Sequence, residues 1–178
     1  MKLKYIILVL LVSLSSVNCK NEKANTKQQQ PEAPKNVFKV YVKILVKKTS
    51  NFCLLYTEDG SINFKEGVWQ EVKGSPNEQT VEFNLPEGVF PSQFRLDLGQ
   101  NPEQEDIILK TVTFDYLGNT RVLEGAQIGV FFRPDTSKCT YDASTGVIKS
   151  IIKDGVKQFP SLYPHEYIQA NELPKLIK

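Results

Sequence analysis

Four side chains in the middle of the chain have the types and spacing of a binding surface: Tyr56, Trp69, Arg95 and Asp97. An aromatic ring turned outward offers a flat apolar face on which a sugar ring can stack, while nearby polar groups fix its hydroxyls. Val68 and Val72 alternate with Trp69, Glu71 and Lys73, which puts the indole on the polar side of its strand. Arg95 and Asp97 share the polar face of another strand. Two residues apart, they form a same-face ion pair or offer a forked donor and an acceptor to a ligand.

Reaction chemistry finds less material. His165 is the one histidine, set in a proline-flanked tail with no nucleophile motif beside it. The chain has no Cys-x-x-Cys, no histidine pair at ligand spacing, no glycine-rich phosphate loop and no calcium-loop pattern. Glu103, Glu105 and Asp106 place acid in one loop, which reads as a solvated loop. The expectation is a binding protein without catalysis, cofactor or metal.

Three cysteines divide into one near the start, Cys19, and two in the body, Cys53 and Cys139. An oxidising compartment permits a bond between the latter two, and closing so long a loop stabilises by roughly 4 kcal/mol on the chain-entropy model. Cys53 lies in an apolar strand, where a lone buried thiol is common. Both readings stay open from sequence.

The first 18 residues read as a secretory signal, with Lys2 and Lys4 ahead of the unbroken apolar run Ile6 to Val12. Ser13 to Cys19, SLSSVNC, then sets small and polar residues directly before a cysteine. This resembles the lipobox of bacterial lipoproteins in its looser, Bacteroidetes-like form, although Ser16 and Asn18 stand where the motif prefers leucine and a small residue. The resemblance implies lipidation at Cys19 and a cell-envelope location, anchored to a membrane, with the outer membrane expected. Lys20 to Asn36 has alanine as its one apolar type and cannot repay the cost of ordering, so residues 19–36 are expected to be a flexible tether. A chain of that length spans on the order of 20–25 Å. The whole chain carries 22 Lys and Arg against 20 Asp and Glu. Loss of Lys2 and Lys4 with the signal leaves the two in balance, which argues against a nucleic-acid partner.

These candidate residues must be held by strands. Val37 to Val46 alternates cleanly, Phe52 to Tyr56 is apolar on both faces, and Val81 to Phe114 carries three strand patterns with Pro86, Gly88, Pro91, Gly99 and Pro102 between them. We expect those three to form a meander. Arg121 to Leu123 and Ile128 to Phe132 read as short strands, Thr140 to Ile152 as a hairpin, and Asp154-Gly155 as a tight turn. The tail beyond Pro160 is expected to wrap the surface, with helix at most over Glu166 to Leu173. Residues 37–178 then form one all-β domain, an antiparallel two-sheet β-sandwich.

FCLLYTEDG at Phe52–Gly60, VKGSPNEQTVEFNLPEG at Val72–Gly88, FRLDLG at Phe94–Gly99 and DIILKTVTF at Asp106–Phe114 follow one another in an order that resembles the jelly-roll, carbohydrate-binding-like domains found beside bacterial glycosyltransferases and in Bacteroidetes lipoproteins. The likeness covers roughly the middle third of the chain. It implies a jelly-roll-like sandwich and permits binding of a glycan or another envelope component. The alternative is a structural or assembly lipoprotein that docks a protein partner through a sheet edge. An exposed Trp69 beside a groove favours the first, a buried Trp69 the second.

Overall fold

The computed structural model describes residues 36–178. Two antiparallel sheets face each other. Sheet A runs in the order β4 (Gln79–Asn84), β1 (Phe38–Leu45), β6 (Ile107–Tyr116), β10 (Val147–Ser150), β9 (Cys139–Asp142), with β7 (Asn119–Glu124) also paired to β6. Sheet B runs β3 (Glu66–Val72), β2 (Ser50–Thr57), β5 (Gln93–Asp97), β13 (Ser161–Pro164), β8 (Phe132–Pro134). A short separate hairpin joins β11 (Ile152–Lys153) to β12 (Val156–Lys157).

Period-two patterning decides which faces meet. Phe38, Val40, Val42 and Ile44 of β1 are all fully buried, as are Phe52 and Leu54 of β2 within 1%. Phe94 and Leu96 of β5 face Leu109, Val112 and Phe114 of β6 in the same apolar cluster. Such side chains each contribute about 1.5–3 kcal/mol when taken fully from water. In the register of β1 on β6 the pairing slips between Lys43 and Ile44, a bulge that keeps the apolar face inward past the irregularity.

The expected meander over residues 81–114 does not form. β4 and β6 lie in sheet A, whereas β5 lies in sheet B, so the chain crosses the sandwich at each proline- and glycine-marked loop. Turn residues and alternation are common to hairpins and to sheet-crossing arches, and periodicity alone does not tell the two apart. Tight hairpins occur elsewhere: Leu117 (φ 53°) and Gly118 (φ 86°) join β6 to β7, and Asp154 (φ 51°) and Gly155 (φ 76°) join β11 to β12. Positive φ at both central residues is what a two-residue turn of this twist requires.

Two further expectations are corrected. Ile128 to Phe132 is not a strand: Ala126–Phe131 forms one turn and a half of helix, α1, before β8 begins at Phe132. Ile128 and Phe131 are buried while Val130 is exposed, the spacing of a helix, which the apolar run IGVFF concealed. The tail does more than wrap, because Ser161–Pro164 is inserted between β5 and β8 as an inner strand of sheet B. The helix α2 (Glu166–Glu172) follows and drives Gln169 into the interior, where its amide donates to the Phe131 carbonyl (3.0 Å) and accepts from the Phe94 N–H (2.7 Å). One side chain thus ties α2 to β5 and to the end of α1.

Candidate functional site

Residues of sheet B that do not face the core form ordered rows on its outer surface. Cys53 pairs with Trp69 on one side and Asp97 on the other, and Asp97 pairs with Ser161, so Trp69, Cys53, Asp97 and Ser161 make one row across four strands. The next row runs from Gly67 through Leu55 to Arg95. Tyr163 follows at that level, paired with Arg133.

The first row falls away in side-chain size from its Trp69 end. Trp69 stands with 56% of its surface exposed, whereas Cys53 and Ser161 are buried and small. This drop in side-chain height opens a groove of about 210 Å³ lined by Trp69, Arg95, Asp97 and Asn51, with Gly99 and Gln100 at one end and Phe159 on the far wall. Phe159 is itself 40% exposed, and its position is fixed by the following residue, whose carbonyl accepts from the Leu98 N–H at 2.9 Å. Gly67, two residues before Trp69 on β3, leaves room for the Cys53 sulfur, which a β-carbon there would approach to 2.8 Å.

The polar groups of the groove are pre-arranged. Arg95 grips Asp97 with Nε to Oδ1 at 2.8 Å and Nη2 to Oδ2 at 2.9 Å, a bidentate pair that holds both side chains in one rotamer. The guanidinium also lies 4.6 Å from the Tyr163 ring centroid, and Arg133 approaches the same ring at 5.6 Å. The Tyr163 face is therefore already occupied, whereas the Trp69 face is not. The Ser50 hydroxyl accepts from the Gln100 N–H at 2.9 Å and the Asn101 N–H at 3.2 Å, which turns the Gln100 side chain toward the groove. Burial, and then the negative charge of Asp97, pushes the Cys53 thiol up to about 11, so it stays a neutral floor residue.

Of the four sequence candidates, the structure brings Trp69, Arg95 and Asp97 to one groove and leaves Tyr56 out. Tyr56 is 7% exposed and packs in the core cluster, because it alternates in phase with Phe52 and Leu54. Phe159, Asn51, Gln100 and Lys138 also line the groove and were missed. Phe159 had one signal, an isolated aromatic between Gln158 and Pro160 in a polar stretch. Cys19 lies outside the described residues.

Larger hollows lie elsewhere: one of about 360 Å³ is lined by Ile62, Arg133 and Tyr163, the ring that Arg95 and Arg133 already approach. One of about 550 Å³ is bordered by Val37, Leu85 and Leu117, and one of about 450 Å³ by Lys47, Glu105 and Ile108. The Glu105 carboxylate is taken up by Lys47 at 2.7 Å, and among the described residues no three His, Cys, Asp or Glu side chains converge on a metal-sized site. His165 precedes α2, where its N–H donates to the Phe131 carbonyl at 2.9 Å. Cys53 and Cys139 are both free thiols: Cys139 belongs to the core cluster and donates to the Ser161 carbonyl at 3.4 Å, whereas Cys53 lies in the outer row. Among the described residues no helix is long and apolar enough to cross a membrane.

Comparison with protein-family models, with curated proteins and with solved structures gives no match to the chain.

Proposed function

We propose that this chain is a non-catalytic, membrane-anchored cell-envelope lipoprotein whose sheet B groove binds a glycan. The observation that carries the reading is the exposed Trp69 ring beside the rigid Arg95–Asp97 pair, an apolar face next to fixed hydrogen-bonding groups. The apolar run Ile6 to Val12 followed by Cys19 supports the anchor, to the outer membrane of a bacterial envelope, and the tether supports a domain held clear of the headgroups. The order of motifs from Phe52 to Phe114, with its likeness to jelly-roll, carbohydrate-binding-like domains, points the same way.

The test is a glycan-array screen of the full-length chain beside its Trp69→Ala variant. Retention of a defined glycan by the first and its loss in the second, with the melting temperature unchanged, supports the site. Equal retention by both moves the ligand elsewhere. No retention by either leaves the docking of a protein partner through the β3 edge as the better account.

A further inference from the structure

The groove is walled on four sides. Across the strands it is bounded by Trp69 on β3 and by Phe159 ahead of β13, with Cys53 and Asp97 between them. The Trp69 and Ser161 backbones stand three strand spacings apart, about 14 Å, and both aromatic rings occupy part of that width. Along the strands one end is stopped by the Arg95 guanidinium, which is held down on Tyr163 and locked to Asp97. The other end is stopped by the Gly99–Gln100 turn, pinned to the Ser50 hydroxyl. Gly99 has φ of 94°, and a β-carbon there would come within 2.3 Å of the Ser50 hydroxyl oxygen, so this turn admits no larger residue. The volume of about 210 Å³ is below the roughly 300–1,000 Å³ of sites that enclose drug-sized ligands.

We propose that the groove takes a single terminal sugar unit, held between Trp69 and Phe159, and not an internal stretch of a polysaccharide. This rests on the glycan reading and narrows it. A trough for an internal stretch needs open ends through which the chain enters and leaves, whereas this one is bordered along the strands by the fixed Arg95 and by the Gly99–Gln100 turn. Two aromatic walls suit a ring with apolar patches on both faces. The Asn51 and Gln100 carboxamides each present a donor and an acceptor, and Asp97 presents acceptor oxygens, a set matched to the hydroxyls of one unit.

Trp69 is the one tryptophan of the chain, so its fluorescence reports this groove directly. The full-length chain is titrated with methyl glycosides of glucose, galactose, mannose and N-acetylglucosamine, and with the linear hexasaccharide of each. The expected result is a shift in Trp69 emission by at least one methyl glycoside, with the same molar affinity for the matching hexasaccharide, and loss of that shift in Phe159→Ala. A hexasaccharide bound more than about tenfold more tightly than its methyl glycoside, or an unaltered response in Phe159→Ala, overturns the single-unit inference and leaves glycan binding standing. No response to any carbohydrate overturns both.

Discussion

Phe94 of sheet B and Phe114 of sheet A stack nearly parallel across the sandwich, 5.4 Å between centroids and 7° between planes. Phe38 meets both rings, at 5.5 and 6.3 Å, so three strands from two sheets join at one aromatic cluster. Truncating Phe114 to alanine removes the shared member. The expected loss is about 3–5 kcal/mol, measured as a fall in the urea midpoint with an unchanged slope. A loss below about 1 kcal/mol would show that the cluster does not hold the sheets together.

Gln169→Ala leaves the Phe94 N–H without its partner and takes from the Phe131 carbonyl one of its two donors, the other being the His165 N–H, at a site with no solvent exposure. A stranded buried N–H costs about 1–3 kcal/mol. Gln169→Glu keeps the acceptor but loses the donor. Equilibrium unfolding should therefore rank wild type above both variants, and hydrogen exchange at Phe94 should quicken in Gln169→Ala.

The two body thiols should resist alkylation in the native state. Cys53 is raised to about 11 by burial and by Asp97, and burial raises Cys139 as well. A folded value above the unfolded one contributes stability that is complete below the unfolded value near 8.5 and is lost as pH climbs through the folded value. Stability should thus decline above pH 8.5, and Cys53→Ala should flatten that decline. At pH 8, iodoacetamide followed by peptide mass mapping should modify neither residue until urea is added. Rapid native labelling of Cys53 would contradict its place beneath the groove.

At the β9–β10 turn the Asp142 carboxylate accepts from the Ser144 hydroxyl (2.6 Å), the Ser144 N–H (2.9 Å) and the Thr145 hydroxyl (2.9 Å). These hydrogen bonds, the Ser144 hydroxyl first, hold its pKa below the usual carboxylate value. A depressed folded value gives stability that is present above the unfolded pKa and lost as pH falls through the folded one. Asp142→Asn should therefore lower the melting temperature at pH 7 and converge on wild type in acid. A constant difference from pH 7 to pH 2 would refute the assignment.

Lipidation at Cys19 predicts that Cys19→Ser abolishes metabolic labelling with a fatty acid and moves the protein from the membrane to the soluble fraction. Burial contributes about 0.8 kcal/mol per methylene, so several acyl chains anchor stably where one does not. Labelling that survives the substitution removes the lipoprotein reading.

Alternation made the strands legible wherever one face is apolar, as in β1 and β5, and it placed Trp69, Arg95 and Asp97 on outward faces. It left Tyr56 open between core and surface, because β2 is apolar on both sides, and the structure puts it in the core. The partition of strands between sheets stayed hidden because it is set by which apolar faces meet, and not by the loops. Phe159 and Lys138 were missed for a related reason. Phe159 reaches the groove through the pairing of β13 with β5, and Lys138 through the turn from Asp135 between β8 and β9, and both are far in sequence from Trp69 and Arg95.

The late placement of β13 carries a consequence for synthesis. Until Phe159 to Pro164 have emerged, β5 is paired on one side only, by β2, and the Trp69 groove has no Phe159 wall. Open edges of this kind template pairing with other chains. The nascent protein therefore completes the Trp69 groove and covers the free edge of β5 in the same event, so that a chain cut short before Phe159 should lack the proposed site and be prone to clump.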